Sequence, residues 1–268
     1  MDWKMFQVYL RLISMRAAYC RYQRWISTAA FIAFKRTRRV SSKVLSRYIM
    51  KIAVLGATGQ TGQQLLKQAL QQGHCVTAVV RNPGKLTLTH ENLKVVEADI
   101  FSEDCLKPHF KGQDAVLSCL GFPISFFYGV TGYTQSMKAA LNAMREVKVN
   151  RIITMTSWYT DPDSGSNSSF LIRFMLLPMI RSVLNNMYEM ENFLKQTDDI
   201  NWTVVRPPGL KNMPTTANEF LTHEGYYVPD ENGLPVGQSV SRGDVARFML
   251  SLLSDNAWMK KAVAIITK

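Results

Sequence analysis

Three glycines, Gly56, Gly59 and Gly62, recur at three-residue spacing within Lys-Ile-Ala-Val-Leu-Gly-Ala-Thr-Gly-Gln-Thr-Gly, residues 51–62. A short apolar run from Ile52 to Leu55 precedes them. Behind them, Gln63-Gln64-Leu65-Leu66-Lys67-Gln68-Ala69-Leu70 places apolar residues at helical intervals. A strand, a tight glycine turn and a helix are the parts that a dinucleotide pyrophosphate requires. The glycines let main chain approach the ligand closely, and the helix N-terminus offers free N–H groups at the positive end of its dipole. Thr58, Gln60 and Thr61 complete this candidate turn. Glycine at a helix entry is common, so the strand before it and the helix after it carry the inference.

A second set of residues bears on which dinucleotide. The next apolar run ends Val79-Val80-Arg81-Asn82-Pro83-Gly84-Lys85. An NAD enzyme usually places Asp or Glu at that point to bind the ribose 2′-hydroxyl, and such an acid would repel a 2′-phosphate. Arg81 instead offers a planar fork for phosphate and a face for adenine, and Lys85 adds a second positive charge. NADP is the cofactor this pattern predicts; the alternative is a pair of ordinary exposed loop cations.

Ligands of open parallel sheets collect at the carboxyl ends of the strands, and further candidates fall there. Asp99-Ile100 either bonds the adenine amino group or closes a turn ahead of a helix. Cys119-Leu120-Gly121 lets main chain run beside a cofactor. Thr156-Ser157 brings two hydroxyls toward the nicotinamide ribose, and Ser157 is the candidate contact to substrate or to the nicotinamide amide, or else simply satisfies a strand end. Arg206-Pro207-Pro208-Gly209-Leu210 forms a stiff turn suited to closing over the nicotinamide.

Those positions require a regular scaffold. Strands are predicted over 51–55, 76–80, 93–97, 115–119, 151–155, 202–205 and 263–266, several of them continuous Val/Ile-rich runs of the kind buried on both faces. Helices are predicted over 61–72, 102–109, 133–147, 184–196 and 243–253. Such alternation implies right-handed crossovers and a doubly wound parallel α/β sheet of the Rossmann type, as one domain over residues 50–268. Glu189 and Glu191 read as solvated helix residues. Ser241-Arg242-Gly243-Asp244 reads as the start of the last helix, with Asp244 favourable to its dipole.

Charge is unevenly spread. The chain of 268 residues carries a formal net charge of +12. Residues 1–49 hold eleven Lys and Arg against Asp2 alone, or +10, leaving +2 for the remainder. The folded body is nearly neutral and gives no case for nucleic acid. The first 49 residues lack an apolar run long enough to span a bilayer and lack the pattern of a secretory signal. Their Arg-rich, acid-poor composition fits a mitochondrial-type presequence, or else an extension upstream of a working start at Met50. Cys20, Cys75, Cys105 and Cys119 show no metal or redox spacing. Cys75 and Cys119, at the ends of apolar runs, read as small buried thiols, and reduced cysteines suit a cytoplasmic protein.

Gly56-Ala57-Thr58-Gly59-Gln60-Thr61-Gly62, Arg81 with Lys85, Gly112-Gln113-Asp114-Ala115-Val116, Thr156-Ser157 and Pro207-Pro208 together resemble the NADPH-dependent flavin reductase/biliverdin reductase B family. That family is a branch of the atypical short-chain dehydrogenases with NmrA-like proteins as relatives. The resemblance covers about residues 50–268 and leaves 1–49 unmatched. It implies a monomeric NADPH enzyme that reduces flavins and, in some members, tetrapyrroles. It also implies cofactor contacts at Thr58, Thr61, Arg81, Lys85, Asp99, Leu120, Gly121 and Ser157.

One absence agrees with that expectation. Typical short-chain dehydrogenases protonate a carbonyl with a Tyr assisted by a Lys four residues later. Here Tyr159 is followed at that spacing by Asp163, and Tyr188 by Asn192. Carbonyl reduction therefore lacks its usual acid, whereas a flavin, tetrapyrrole or quinone ring spreads incoming charge and can take its proton from solvent. Phe122-Pro123-Ile124-Ser125-Phe126-Phe127-Tyr128 is either an aromatic wall for such a ring or core. The apolar segment 170–180 reads as a pocket lid, a partner surface or a buried helix.

Overall fold

The computed structural model describes residues 49–124 and 129–268, and Met50–Lys268 form a compact unit. The basic first 49 residues, apart from Ile49, and four residues of the aromatic loop, Ser125 to Tyr128, lie outside the described residues.

The chain opens with β1 (Lys51–Leu55), α1 (Gln60–Gln71), β2 (Cys75–Val80), β3 (Leu93–Glu97), α2 (Glu103–Phe110) and β4 (Ala115–Ser118). It continues through α3 (Gly132–Val147), β5 (Arg151–Met155), a π-helical turn (Ile172–Leu176), α4 (Leu177–Lys195) and β6 (Asn201–Arg206). β7 (Gly209–Lys211), β8 (Phe220–His223), β9 (Ser239–Ser241), α5 (Arg242–Ser251) and β10 (Lys261–Thr267) complete it. The main sheet runs β3-β2-β1-β4-β5-β6-β10-β8. The order reverses between β1 and β4, which is where a doubly wound sheet leaves a crevice at its carboxyl ends.

Two differences from the sequence expectation stand out. The sheet is parallel as far as β10, but β8 pairs antiparallel to β10 at the edge, Ile265 opposite Thr222. A separate parallel pair, β7 with β9, also forms. These strands have three or four residues each, β7 and β8 are partly exposed, and β9 holds a single apolar residue, Val240, so none has the apolar run that marks a buried strand.

Burial on both faces of the sheet explains its Val/Ile-rich strands. On one side Leu106 and Phe110 of α2, Leu141 and Met144 of α3, and Leu184, Met187 and Leu194 of α4 pack against Ala53, Val116, Ile152 and Val204. On the other, Leu65, Leu66 and Leu70 of α1 meet Val245, Phe248 and Met249 of α5 over Ile52, Val54, Leu117 and Val263. The alternation of inward side chains along each strand sends successive residues to opposite cores. Local signals set the helix ends: Ser102 caps α2 by accepting from the Cys105 N–H, and Ser241 caps α5 by accepting from the Asp244 N–H. Cys75 departs from its expected burial. It is exposed at the outer end of β2, while Cys119 is buried.

Candidate functional site

The glycine turn is shaped by contacts that only glycine permits. Gly56 has φ +75°, and a Cβ on it would stand 2.6 Å from the Cys119 carbonyl carbon and oxygen. A Cβ on Gly62 would stand 2.2 Å from the Gly56 oxygen. The end of β1, the start of α1 and the end of β4 are thus pressed together main chain to main chain. The Gly59 N–H closes the turn on the Gly56 oxygen at 3.0 Å, and the Gln63 side chain braces it by donating to the Thr58 oxygen at 3.0 Å.

Gly59 is the N-cap of α1 and provides no side-chain cap, and the first turn holds no acid. Gln60, Thr61 and Gly62 therefore begin the helix with N–H groups that have no intrahelical acceptor. An anion is the group that complements them.

One cleft beside this turn is lined by Gly56, Thr58, Gly59, Val79, Val80, Arg81, Ile100, Cys119, Leu120, Gly121 and Phe122. Nine of the residues singled out from sequence meet there: Gly56, Thr58, Gly59, Arg81, Ile100, Cys119, Leu120, Gly121 and Phe122. No carboxylate lines it. Arg81 is exposed and makes no ion pair among the described residues. Lys85 closes the short turn Pro83–Lys85, which Asn82 caps by accepting from the Gly84 N–H. A Cβ on Gly121 would meet nothing within 4 Å, so no protein neighbour demands glycine there, and the space beside it is open.

Cys119 contributes main chain, not thiol chemistry. Burial pushes its thiol up to about 12, and its Sγ rests 3.9 Å from Met249 Sδ. Asp99 takes the turn role: its carboxylate accepts from the Phe101 N–H at 3.0 Å. Phe122 packs edge-on against Tyr133, with centroids 4.8 Å apart, and its N–H donates to the Tyr133 hydroxyl at 3.2 Å.

The ends of β5 and β6 hold a group that sequence reasoning missed. Glu191, expected in solvent, is 0% exposed and forms an ion pair with the 2% exposed Arg206, Nη2 to Oε2 at 2.6 Å. Arg206 Nε also donates to Glu191 Oε1 at 3.2 Å, making the pair bidentate. The Thr156 hydroxyl donates to Oε1 at 2.7 Å, and Thr160 donates at 3.3 Å. Thr156 therefore turns its hydroxyl inward to a carboxylate, not toward a cofactor ribose as expected from its position. Arg206 Nη1 donates to the Glu224 and Gly225 oxygens at 3.3 and 3.0 Å, and the guanidinium lies 4.1 Å over the Tyr226 ring. One buried pair thus ties the loop after β5, the end of β6, α4 and the strap at 224–226. A signal existed: Leu184, Met187, Glu191 and Leu194 share one helical face, so Glu191 stands in an otherwise apolar stripe.

Ser157 is left as the half-buried residue of this loop, and its hydroxyl makes no hydrogen bond among the described residues. The following Trp158 N–H donates to the Pro207 oxygen at 2.9 Å, which fixes the buried Pro207-Pro208 turn against the Ser157 loop. Tyr159 sits at φ +59°, its N–H bonded to the Tyr226 oxygen at 3.1 Å and its ring packed on Tyr227. Burial, with Tyr227 nearby, pushes its phenol up to about 12. Gln60, Thr61, Gly62, Lys85, Asp99, Thr156, Ser157, Pro207 and Pro208 do not line the cleft itself.

A family model described as NAD(P)H-binding matches residues 56–256. The uncharacterised protein YwnB of Bacillus subtilis is 29% identical over 167 residues, which is 59% of this chain and 71% of that protein. An uncharacterised chloroplastic protein of Arabidopsis thaliana is 27% identical over 227 residues, 81% of this chain and 77% of its own. Among solved structures, a Bacteroides thetaiotaomicron protein provisionally named an epimerase superposes with a TM-score of 0.62 at 27% identity, covering 81% of this chain and 96% of its own. A Streptococcus pneumoniae protein with the provisional name NADH-flavin reductase gives 0.62 at 21% identity, with 82% and 100% covered.

Proposed function

The chain belongs to the NAD(P)H-binding family whose model spans residues 56–256, and from that premise we propose that it is an NADPH-dependent reductase of flavins and related planar acceptors such as a biliverdin or a quinone. One observation carries the reading. The cleft joins the glycine turn and the uncapped start of α1 to Arg81, with no carboxylate in its lining. That combination favours a dinucleotide carrying an extra phosphate.

The N–H groups at Gln60, Thr61 and Gly62 would hold the pyrophosphate, Arg81 and Lys85 the 2′-phosphate, and Leu120 and Gly121 would run alongside. When bound, NADPH supplies a hydride to the acceptor. The chain's own task is then to bind, to orient and to exclude water. Ser157, whose hydroxyl makes no hydrogen bond among the described residues, is the residue proposed to touch the acceptor or the nicotinamide amide, beside the wall of Pro207 and Pro208. Tyr159, its phenol raised by burial, keeps its proton near neutral pH and is a poor general acid. A planar acceptor that draws its proton from water needs none.

The provisional name of the Streptococcus pneumoniae neighbour gives the same acceptor class with NADH in place of NADPH. Action as a monomer in the cytoplasm, or in mitochondria if residues 1–49 serve as a presequence, belongs to the same proposal. The test is NADPH oxidation by the purified full chain with a flavin, a biliverdin and a quinone in turn. Turnover with at least one of the three is expected. Silence on all three with NADP still bound would overturn the proposal and leave a non-catalytic NADP-binding protein.

A further inference from the structure

A face of helix far more apolar than the rest of the surface precedes the buried part of α4. Phe170, Leu171, Phe174, Met175, Leu176 and Met179 are 71, 65, 57, 66, 42 and 50% exposed. Phe170, Phe174 and Pro178 follow one another at four-residue spacing, and Leu171, Met175 and Met179 form the adjacent row. Four-residue spacing keeps each row on one side of a helix. Leu177 is buried, and Ile172 and Ile180 pack against the core, so the segment is anchored from its other side. Elsewhere among the described residues, large apolar side chains are exposed singly, as at Phe101, Met213 and Leu234. A contiguous patch of this kind marks a surface with a partner.

Charge identifies the partner. Between Asp163 and Glu189 the chain has Arg173 and Arg181 and no acidic residue; Arg173 is exposed, whereas Arg181 turns its guanidinium inward toward the Tyr159 oxygen. Arg173 lies 5.2 Å from the Phe174 ring, so the positive charge borders the apolar rows directly. A two-fold contact with a second copy would bring Arg173 toward its own counterpart with no carboxylate in the segment to pair with it. Residues 1–49, at +10, carry the same sign and do not complement it either. None of residues 170–179 lines the cofactor cleft, so a lid over that cleft is not indicated. A surface that is apolar within and anionic at its rim satisfies both the rows and Arg173, as a lipid headgroup layer does.

We infer that the face formed by Phe170, Leu171, Phe174, Met175 and Met179 docks on an anionic lipid surface, lying in the interface and not crossing it. No helix among the described residues is long and apolar enough to cross a membrane. Shallow insertion of apolar side chains, helped by attraction of a neighbouring cation to anionic headgroups, is how an interfacial helix binds a membrane surface. The inference stands independently of the proposed reaction.

Flotation of the full chain with vesicles tests it, using phosphatidylcholine alone and phosphatidylcholine with about a third phosphatidylserine. Binding to the anionic vesicles, weakened by salt, is expected, with little to phosphatidylcholine alone. The double variant Phe174→Glu with Met175→Glu should reduce binding about tenfold or more while NADP binding and thermal stability stay unchanged, because both side chains are exposed. Unchanged vesicle binding by the folded variant overturns the inference, as does failure of the parent chain to bind anionic vesicles. So does a concentration-dependent dimer that the variant abolishes in the absence of lipid binding, since the face would then serve a second copy.

Discussion

At the scale of single residues, the site is defined as much by what Arg81 replaces as by what it offers. The end of β2 is where an acidic side chain would select the ribose hydroxyl and repel a phosphate. Arg81 is exposed, touches no acid among the described residues, and borders a cleft whose other side chains are neutral. No acidic group among the described residues pairs with it, so its charge is available to a ligand. Truncating it removes a charge-assisted contact of about 1.5–3 kcal/mol. Arg81→Ala should therefore lower kcat/KM for NADPH by about tenfold to a hundredfold, leave NADH little changed, and leave the melting temperature where it was. Steady-state rates with both cofactors check this, and an unchanged NADPH/NADH ratio would remove Arg81 from its proposed role. Gly56 and Gly62 differ in kind. Their side-chain-free approach is already required by Cys119 and by the turn itself, before any ligand arrives.

At the scale of elements, the buried Glu191–Arg206 pair joins the ends of β5 and β6 to α4. Removing one partner leaves the other charged in a dry site, at a cost of about 3–5 kcal/mol. Glu191→Gln is expected to destabilise by that amount in urea unfolding. The double variant Glu191→Leu with Arg206→Met should recover most of the loss, because an apolar pair strands no charge. A destabilisation below about 1 kcal/mol for the single variant would show that the pair is not the joint described here. The same pair shows where sequence was legible and where it was not. β1, β3 and β5 were legible to the residue, since an apolar run bounded by turn residues leaves few alternatives. The meeting of Gly56, Arg81 and Gly121 followed from strand order alone. Glu191 was not legible, because an acid set among Tyr188, Glu189 and Asn192 resembles a solvated turn until its position in the apolar stripe is weighed. The inward turn of Thr156 depended on that same partner. β7, β8 and β9 escaped because a few half-exposed residues, such as Gly209-Leu210-Lys211, carry no period.

At the scale of the whole molecule, Asp244 performs for the far side of the fold what Glu191 performs near the site. It lies in the first turn of α5, 1% exposed, where the sequence suggested only a favourable charge at a helix N-terminus. Its carboxylate accepts from the Thr216 N–H at 2.8 Å, the Thr216 hydroxyl at 3.0 Å and the Ser241 hydroxyl at 2.9 Å, and it pairs with Arg247 at 3.2 Å. Arg247 in turn donates to the Asn218 oxygen at 2.6 Å, so α5, the 214–218 loop and the approach to β8 share one anchor. Burial by itself raises the Asp244 pKa; the hydrogen bonds from Thr216 and Ser241, with that from Arg247, outweigh it and hold the carboxyl below its ordinary value of 3.8. The folded state thus gives up this proton more readily than the unfolded chain. The stabilisation is fully present above the unfolded value and fades as pH falls through the lower folded one. Asp244→Asn keeps the shape but loses the charge-assisted bonds, so it should destabilise at neutral pH by about 1.5–3 kcal/mol. The difference between parent and variant should hold constant down to about pH 4 and shrink below it. Urea unfolding of both proteins across that range measures the difference directly, and other carboxylates that titrate there cancel in the comparison. A gap between the two proteins that did not narrow in acid would mean that shape, and not ionisation, is what Asp244 contributes to the anchor.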